Sequence, residues 1–128
     1  MEFQKHFSVE EAQALLSEIQ PKLEEIAVLK VALDKKGYDV HRHRYFGGMG
    51  PNGQKVFPNE MERLVEIVAD LNRTGIQIKD LNSGLIDFPH RRKNGEEVLL
   101  CYRLPEEEIT TWHTLEGGFA GRRPLSEL

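Results

Sequence analysis

Cysteine is almost missing from this chain: Cys101 is the only one in 128 residues. A lone thiol cannot close an internal disulfide, and it excludes multi-cysteine zinc fingers and iron–sulfur clusters. Long apolar runs are missing as well, none approaching the roughly 18 residues that a membrane-spanning helix needs. The opening Met1–His6 is polar and charged, with no apolar signal-peptide core behind it. Basic residues are in the minority, 17 Lys and Arg against 21 Asp and Glu for a net charge of −4. That balance disfavours nucleic acid as a general partner while leaving room for a local basic patch. A soluble, cytoplasmic protein with no membrane partner is the expectation.

What is present suffices for a core. Hydrophobic residues make up 39% and charged residues 30%, unlike disordered chains, in which core-forming residues are scarce. The length predicts a single domain over 1–128.

The first predicted element is a helix over 8–36. Ser8-Val9-Glu10-Glu11 has the form of a capping box, and Phe7 and Ala12 stand where a hydrophobic staple would sit. Ala12, Leu16, Ile19, Leu23, Ile26 and Leu33 then form one apolar stripe, with Pro21 expected to kink the run and Gly37 to stop it. Residues 37–57 read as a glycine-rich connection, Gly47 to Gly53 at its centre, of a length found in functional or mobile loops. A second helix is predicted over 59–74, with Met61, Leu64, Val65, Val68 and Leu71 as its apolar face and Gly75 as its stop.

After Gly75 the apolar period changes from 3.6 to 2. Ile76–Lys79, Leu85–Phe88, Val98–Arg103 and Ile109–His113 read as strands, with Pro89 ending the second. Residues 114–128 form a glycine- and arginine-rich tail expected to be irregular. Helices first and strands afterwards predict an α+β fold, a long antiparallel helical hairpin packed on a small antiparallel β-sheet spanning 76–113. The hairpin carries more apolar surface than a few short strands can cover, so a homodimer through the helices is expected.

Strand alternation locates the candidate chemistry. Ile86, Phe88, Val98, Leu100, Tyr102 and Trp112 make the larger apolar set and should face the helices. The opposite face then carries Asp87, Cys101, Arg103 and His113 together. His113 is followed at three residues by Glu116 and preceded at five by Glu108. An imidazole with two or three carboxylates can hold Zn²⁺, Mn²⁺ or Fe²⁺ through nitrogen and oxygen donors. The competing reading pairs Asp87 with Arg103 and leaves His113 as a hydrogen-bonded strand-end histidine. Cys101, in an apolar strand, reads as an inert buried thiol. His41, Arg42, His43 and Arg44 read as a solvated loop, with nucleic-acid contact or additional metal ligation as alternatives. Gly117, Gly118 and Gly121 beside Arg122 and Arg123 could surround an anion.

Three further segments carry a resemblance. They are Lys79-Asp80-Leu81-Asn82-x-Gly84-Leu85-x-Asp87-Phe88-Pro89, Leu100-Cys101-Tyr102-Arg103, and Glu108-Ile109-x-x-Trp112-His113-x-x-Glu116-x-Gly118-Phe119-Ala120-Gly121-Arg122-x-Pro124. With the opening Phe7–Leu16, they resemble the bacterial domain of unknown function family 2203, small proteins sometimes labelled metal-binding. Tyr102 stands where Trp is expected and Pro105 where Gly is expected, and neither is a proposed ligand. The resemblance implies a metal site at Asp87, Glu108, His113 and Glu116, with Cys101 and Arg103 nearby, and no assigned activity. The expectation is a divalent-metal-binding domain with zinc first and manganese or iron as alternatives. Its rivals are a metal-free helical-hairpin interaction module and an anion or nucleic-acid binder using Arg42, Arg44, Arg91, Arg92, Arg122 and Arg123.

Overall fold

The computed structural model describes residues 5–41, 44–45 and 58–128. Helix α1 spans Val9–Lys35. Its capping box is complete: Ser8 Oγ accepts from the Glu11 N–H at 3.0 Å, and Glu11 Oε1 accepts from the Ser8 N–H at 2.8 Å. The buried stripe is Ala12, Leu16, Ile19, Leu23, Ile26 and Leu33. Pro21 lies exposed inside one unbroken helical span. Ile19 and Leu23 on either side of it are both buried, so core packing carries the helix across the hydrogen bond that proline removes. Strand β1 (Tyr38–Asp39) pairs antiparallel with β2 (Arg44–Tyr45), a two-rung ladder inside the stretch read as a loop. His41 is exposed, its N–H bonded to Asp39 Oδ1 at 2.9 Å. Arg42, His43 and the glycines from Gly47 to Gly53 lie outside the described residues.

Helix α2 spans Asn59–Thr74 and ends on Gly75, whose φ of 100° is a left-handed cap that glycine adopts without strain. Lys36 bridges to Glu60 and Glu25 to Arg63, so α2 returns antiparallel along α1. The buried positions are Met61, Leu64, Ile67 and Leu71. The predicted face is therefore corrected at its centre: Ile67 points inward, Val65 is 46% exposed and Val68 is half-buried. A 3-3-4 spacing centres the stripe between the two anchor leucines, whereas Val65 lies one position off that line.

The remaining strands are β3 (Gln77–Asp80), β4 (Leu85–Arg91), β5 (Glu97–Arg103), β6 (Thr111–Thr114) and β7 (Arg123–Pro124). They form an antiparallel five-stranded sheet in sequence order. Two expectations change here. Pro89 does not end β4; its carbonyl accepts the Phe7 N–H at 2.7 Å, on the side away from β5. The N–H that proline lacks would point to that same side, so the β4–β5 ladder loses nothing. The tail is not wholly irregular either. Residues 123–124 add an edge strand to β6, flanked by single 3-10 turns at Phe119–Gly121 and Leu125–Glu127. The Trp112 indole N–H donates to the Pro124 carbonyl at 3.1 Å, which anchors that strand.

On one face of the sheet Ile86, Phe88, Val98, Leu100, Tyr102 and Trp112 are completely buried and join the helix stripes in one hydrophobic cluster. The class is α+β, as expected. Among the described residues no helix is long and apolar enough to cross a membrane. The revised α2 face is testable by urea denaturation. Ile67→Ala should lower stability by about 3 kcal/mol, and Val65→Ala should change it by no more than about 0.5 kcal/mol.

Candidate metal centre

The second face of the sheet is also covered, and beside Pro89 and Leu99 it buries polar and ionisable side chains. Asp87 on β4 stands directly opposite Cys101 on β5, and Cys101 stands opposite Thr111 on β6. His113 is two residues further along β6, on the same face, opposite Leu99. Its ring therefore reaches diagonally across β5 to Asp87, with Nε2 3.0 Å from Oδ2 and 3.1 Å from Oδ1. Asp87 and Cys101 are each 1% exposed and His113 is 3% exposed. Strand register alone thus brings a carboxylate, a thiol and an imidazole out of water together.

Both nitrogens of His113 have acceptors. Nδ1 donates to the Thr114 carbonyl at 2.7 Å, while Nε2 faces Asp87. The imidazolium is favoured to match, its pKa pushed up from 6.5 to about 10. The hydrogen bond to Asp87 is the first cause and Cys101 the second, with burial opposing and the Thr114 carbonyl assisting. Cysteine, histidine and aspartate together also suggest a nucleophile relay. In such a relay one ring nitrogen meets the nucleophile and the other meets the carboxylate. Here one nitrogen is held by a backbone carbonyl, and a single nitrogen is left for the cluster.

That accounting suits a metal ligand. One atom each from Asp87, Cys101 and His113 lie within 4.8 Å of one another. Tetrahedral zinc, with bonds of about 2.0 Å to nitrogen or oxygen and about 2.3 Å to sulfur, places its ligand atoms about 3.3 to 3.6 Å apart. The nitrogen–oxygen separation of 3.0 Å is within a few tenths of an ångström of that spacing. With Nδ1 donating to the Thr114 carbonyl, Nε2 is the nitrogen that can give up its proton and ligate, the arrangement that outer partners of metal-bound histidines enforce.

Of the residues singled out from sequence, Asp87 and His113 meet. Glu108 and Glu116 are exposed and stand outside the cluster. Glu116 follows the end of β6 at Thr114, where the chain turns away, so a three-residue spacing does not return its side chain to the face of His113. Glu108 lies in the turn before β6, while its neighbour Ile109 is tied to Gln13 of α1 through both backbone groups. The third side chain beside Asp87 and His113 is that of Cys101. Its signal was the shared strand face; the apolar setting of β5 obscured it. Arg103 is not the partner of Asp87 but lies over the Phe119 ring, 4.8 Å from its centroid. Arg91, Arg92 and Arg122 donate to Gly95, Glu96 and Glu106 within the chain, and Arg123 lies over Trp112.

A family model described as "Uncharacterized conserved protein (DUF2203)" matches residues 5–125. The chain belongs to that family. No curated protein and no solved structure matches it.

The raised imidazolium sets a pH signature for the metal-free protein. Its folded pKa lies above the unfolded value, so the stability contributed by the His113–Asp87 pair is complete below 6.5 and is lost as pH rises through about 10. The unfolding midpoint of chelator-treated wild type should exceed that of His113→Gln most at about pH 6, with the gap closing steadily as the medium becomes alkaline. A gap that widens with pH would contradict the pairing.

Proposed function

We propose that this member of the DUF2203 family binds one divalent metal ion through the Asp87 carboxylate, the Cys101 sulfur and His113 Nε2. The observation that carries the reading is the buried trio itself, three ligand atoms from three adjacent strands within 4.8 Å. Zinc comes first because it accepts nitrogen, sulfur and carboxylate oxygen at one centre. Manganese and iron, the alternatives to zinc on a purely nitrogen and oxygen set, are less suited to a thiolate ligand, which strengthens the preference for zinc. The charges support it too: a thiolate and a carboxylate neutralise a divalent cation, which lowers the cost of burying all of them. In this reading Cys101 replaces Glu108 and Glu116 as a ligand. Three protein ligands leave a fourth position for water or a substrate atom, the arrangement of sites that do chemistry rather than of closed structural ones. We place the protein in the cytoplasm, where a lone thiol stays reduced and available.

Elemental analysis of tag-free protein tests the reading. Near-stoichiometric zinc is expected in wild type, lost in Asp87→Asn, Cys101→Ser and His113→Gln, and kept in Glu108→Gln and Glu116→Gln. Zinc at 100 times its dissociation constant should also stabilise the fold by about 2.7 kcal/mol in thermal or urea unfolding. Wild type that takes up no metal after loading with zinc, manganese or iron would overturn the proposal.

One observation favours a second, compatible role for the hairpin. Val28 and Val31, three residues apart on α1, are 68% and 53% exposed. A second copy covering them would make the homodimer that the excess of helical apolar surface suggests. Sedimentation equilibrium should then show a dimer that Val28→Glu with Val31→Glu converts to monomer. A wild type that stays monomeric at high concentration would remove this role.

A further inference from the structure

Arg122 comes from the tail, between the 3-10 turn at Phe119–Gly121 and β7, yet its head group is turned inward. Nη1 and Nη2 donate to the two carboxylate oxygens of Glu106, at 3.3 Å each. The guanidinium lies over the Phe119 ring, 4.4 Å from its centroid. Nη1 is also directed at Cys101 Sγ, 3.9 Å away. Glu106 is itself held: its Oε1 accepts the Arg103 N–H at 2.7 Å, and its carbonyl accepts the Tyr102 hydroxyl at 2.6 Å. The fork is therefore fixed by a carboxylate on one side and an aromatic face on another, and the N–H it offers to sulfur is set in advance. Arginine in a surface tail ordinarily sends its charge to water. This side chain is only 20% exposed, and its inward target is a thiol, a weak acceptor that becomes a strong one as thiolate.

We propose that Arg122 is a positioning residue for the metal centre, donating to the thiolate of Cys101 and aiming that sulfur at the ion shared with Asp87 and His113. The inference rests on the metal-binding reading above. Its physical content is twofold. The hydrogen bond fixes the direction of the sulfur, and the positive charge draws electron density from it. Through Arg122 the tail also becomes part of the centre, although it supplies no ligand.

Cobalt(II) substituted for zinc reads both effects, because a bound thiolate produces a charge-transfer band and cobalt affinity can be titrated on it. Wild type should show the band. Arg122→Gln should weaken cobalt binding by about 10- to 100-fold, the usual consequence of removing an outer partner of a ligand. Its band should move to lower energy, since a sulfur without its donor gives up charge more readily. Arg122→Lys, which keeps the charge and loses the fork, should fall between. Glu106→Gln, which releases the arginine from its support, should shift the band in the direction of Arg122→Gln. Near-ultraviolet circular dichroism reports folding, and if Arg122→Gln does not fold, Arg122→Lys decides by the same readouts. Wild type without a thiolate–cobalt band would overturn the metal reading, and this inference with it. A wild-type band with unchanged energy in the variants would overturn the role of Arg122 alone, even if affinity fell.

Discussion

A carboxylate and an imidazolium are costly to take out of water singly, and Asp87 and His113 are buried only because each meets the other. That meeting depends on three strands at once. β4 and β6 are not neighbours; β5 lies between them, and the ring of His113 must pass over it. The Thr114 carbonyl then takes the second ring nitrogen and holds the imidazole in the plane that reaches Asp87. A buried ion pair of this kind is poor evidence of stability, since well-packed apolar residues usually serve as well or better. The opposite face of the same sheet is packed instead with Ile86, Phe88, Val98, Leu100, Tyr102 and Trp112.

The sheet thus divides its labour between its faces. The helix-facing side carries the large residues Phe88, Leu100, Tyr102 and Trp112, joined to the stripes of α1 and α2 in a single core. The opposite side, short of large apolar residues, is roofed by the tail. Arg103 and Arg122 lie on the Phe119 ring, Glu106 pairs with Arg122, and β7 is pinned through Trp112. Trp112 belongs to both halves, its ring in the core and its indole N–H on the tail.

Much of this could be read in advance wherever the controlling interactions are local. The Ser8–Glu11 box, the apolar stripe of α1 and the glycines at 37 and 75 mark the helices to within a residue, because caps and i to i+4 packing act over a single turn. The two-residue period of a strand likewise placed Asp87, Cys101 and His113 on one face before any pairing was known. The limits came where neighbours in space are distant in sequence. Val65 and Ile67 both fit an apolar stripe, and only the position of α1 selects Ile67. Pro89 looked like a strand end until Phe7 occupied the side on which its missing N–H would matter.

The candidate site divides in the same way. Asp87 and His113, and the face they share with Cys101, follow from the sequence because alternation along a strand is a local rule. Which side chains reach across that face was settled only by the tertiary structure. The register Asp87↔Cys101↔Thr111 lets His113 close on Asp87, and the turn after Thr114 carries Glu116 out to solvent. The tail that brings Arg122 to the sulfur is placed by β6 and Glu106, partners remote from it in the chain. Hydrogen-bond register and turn direction are non-local quantities, fixed by which strands pair, and no periodicity within one segment encodes them.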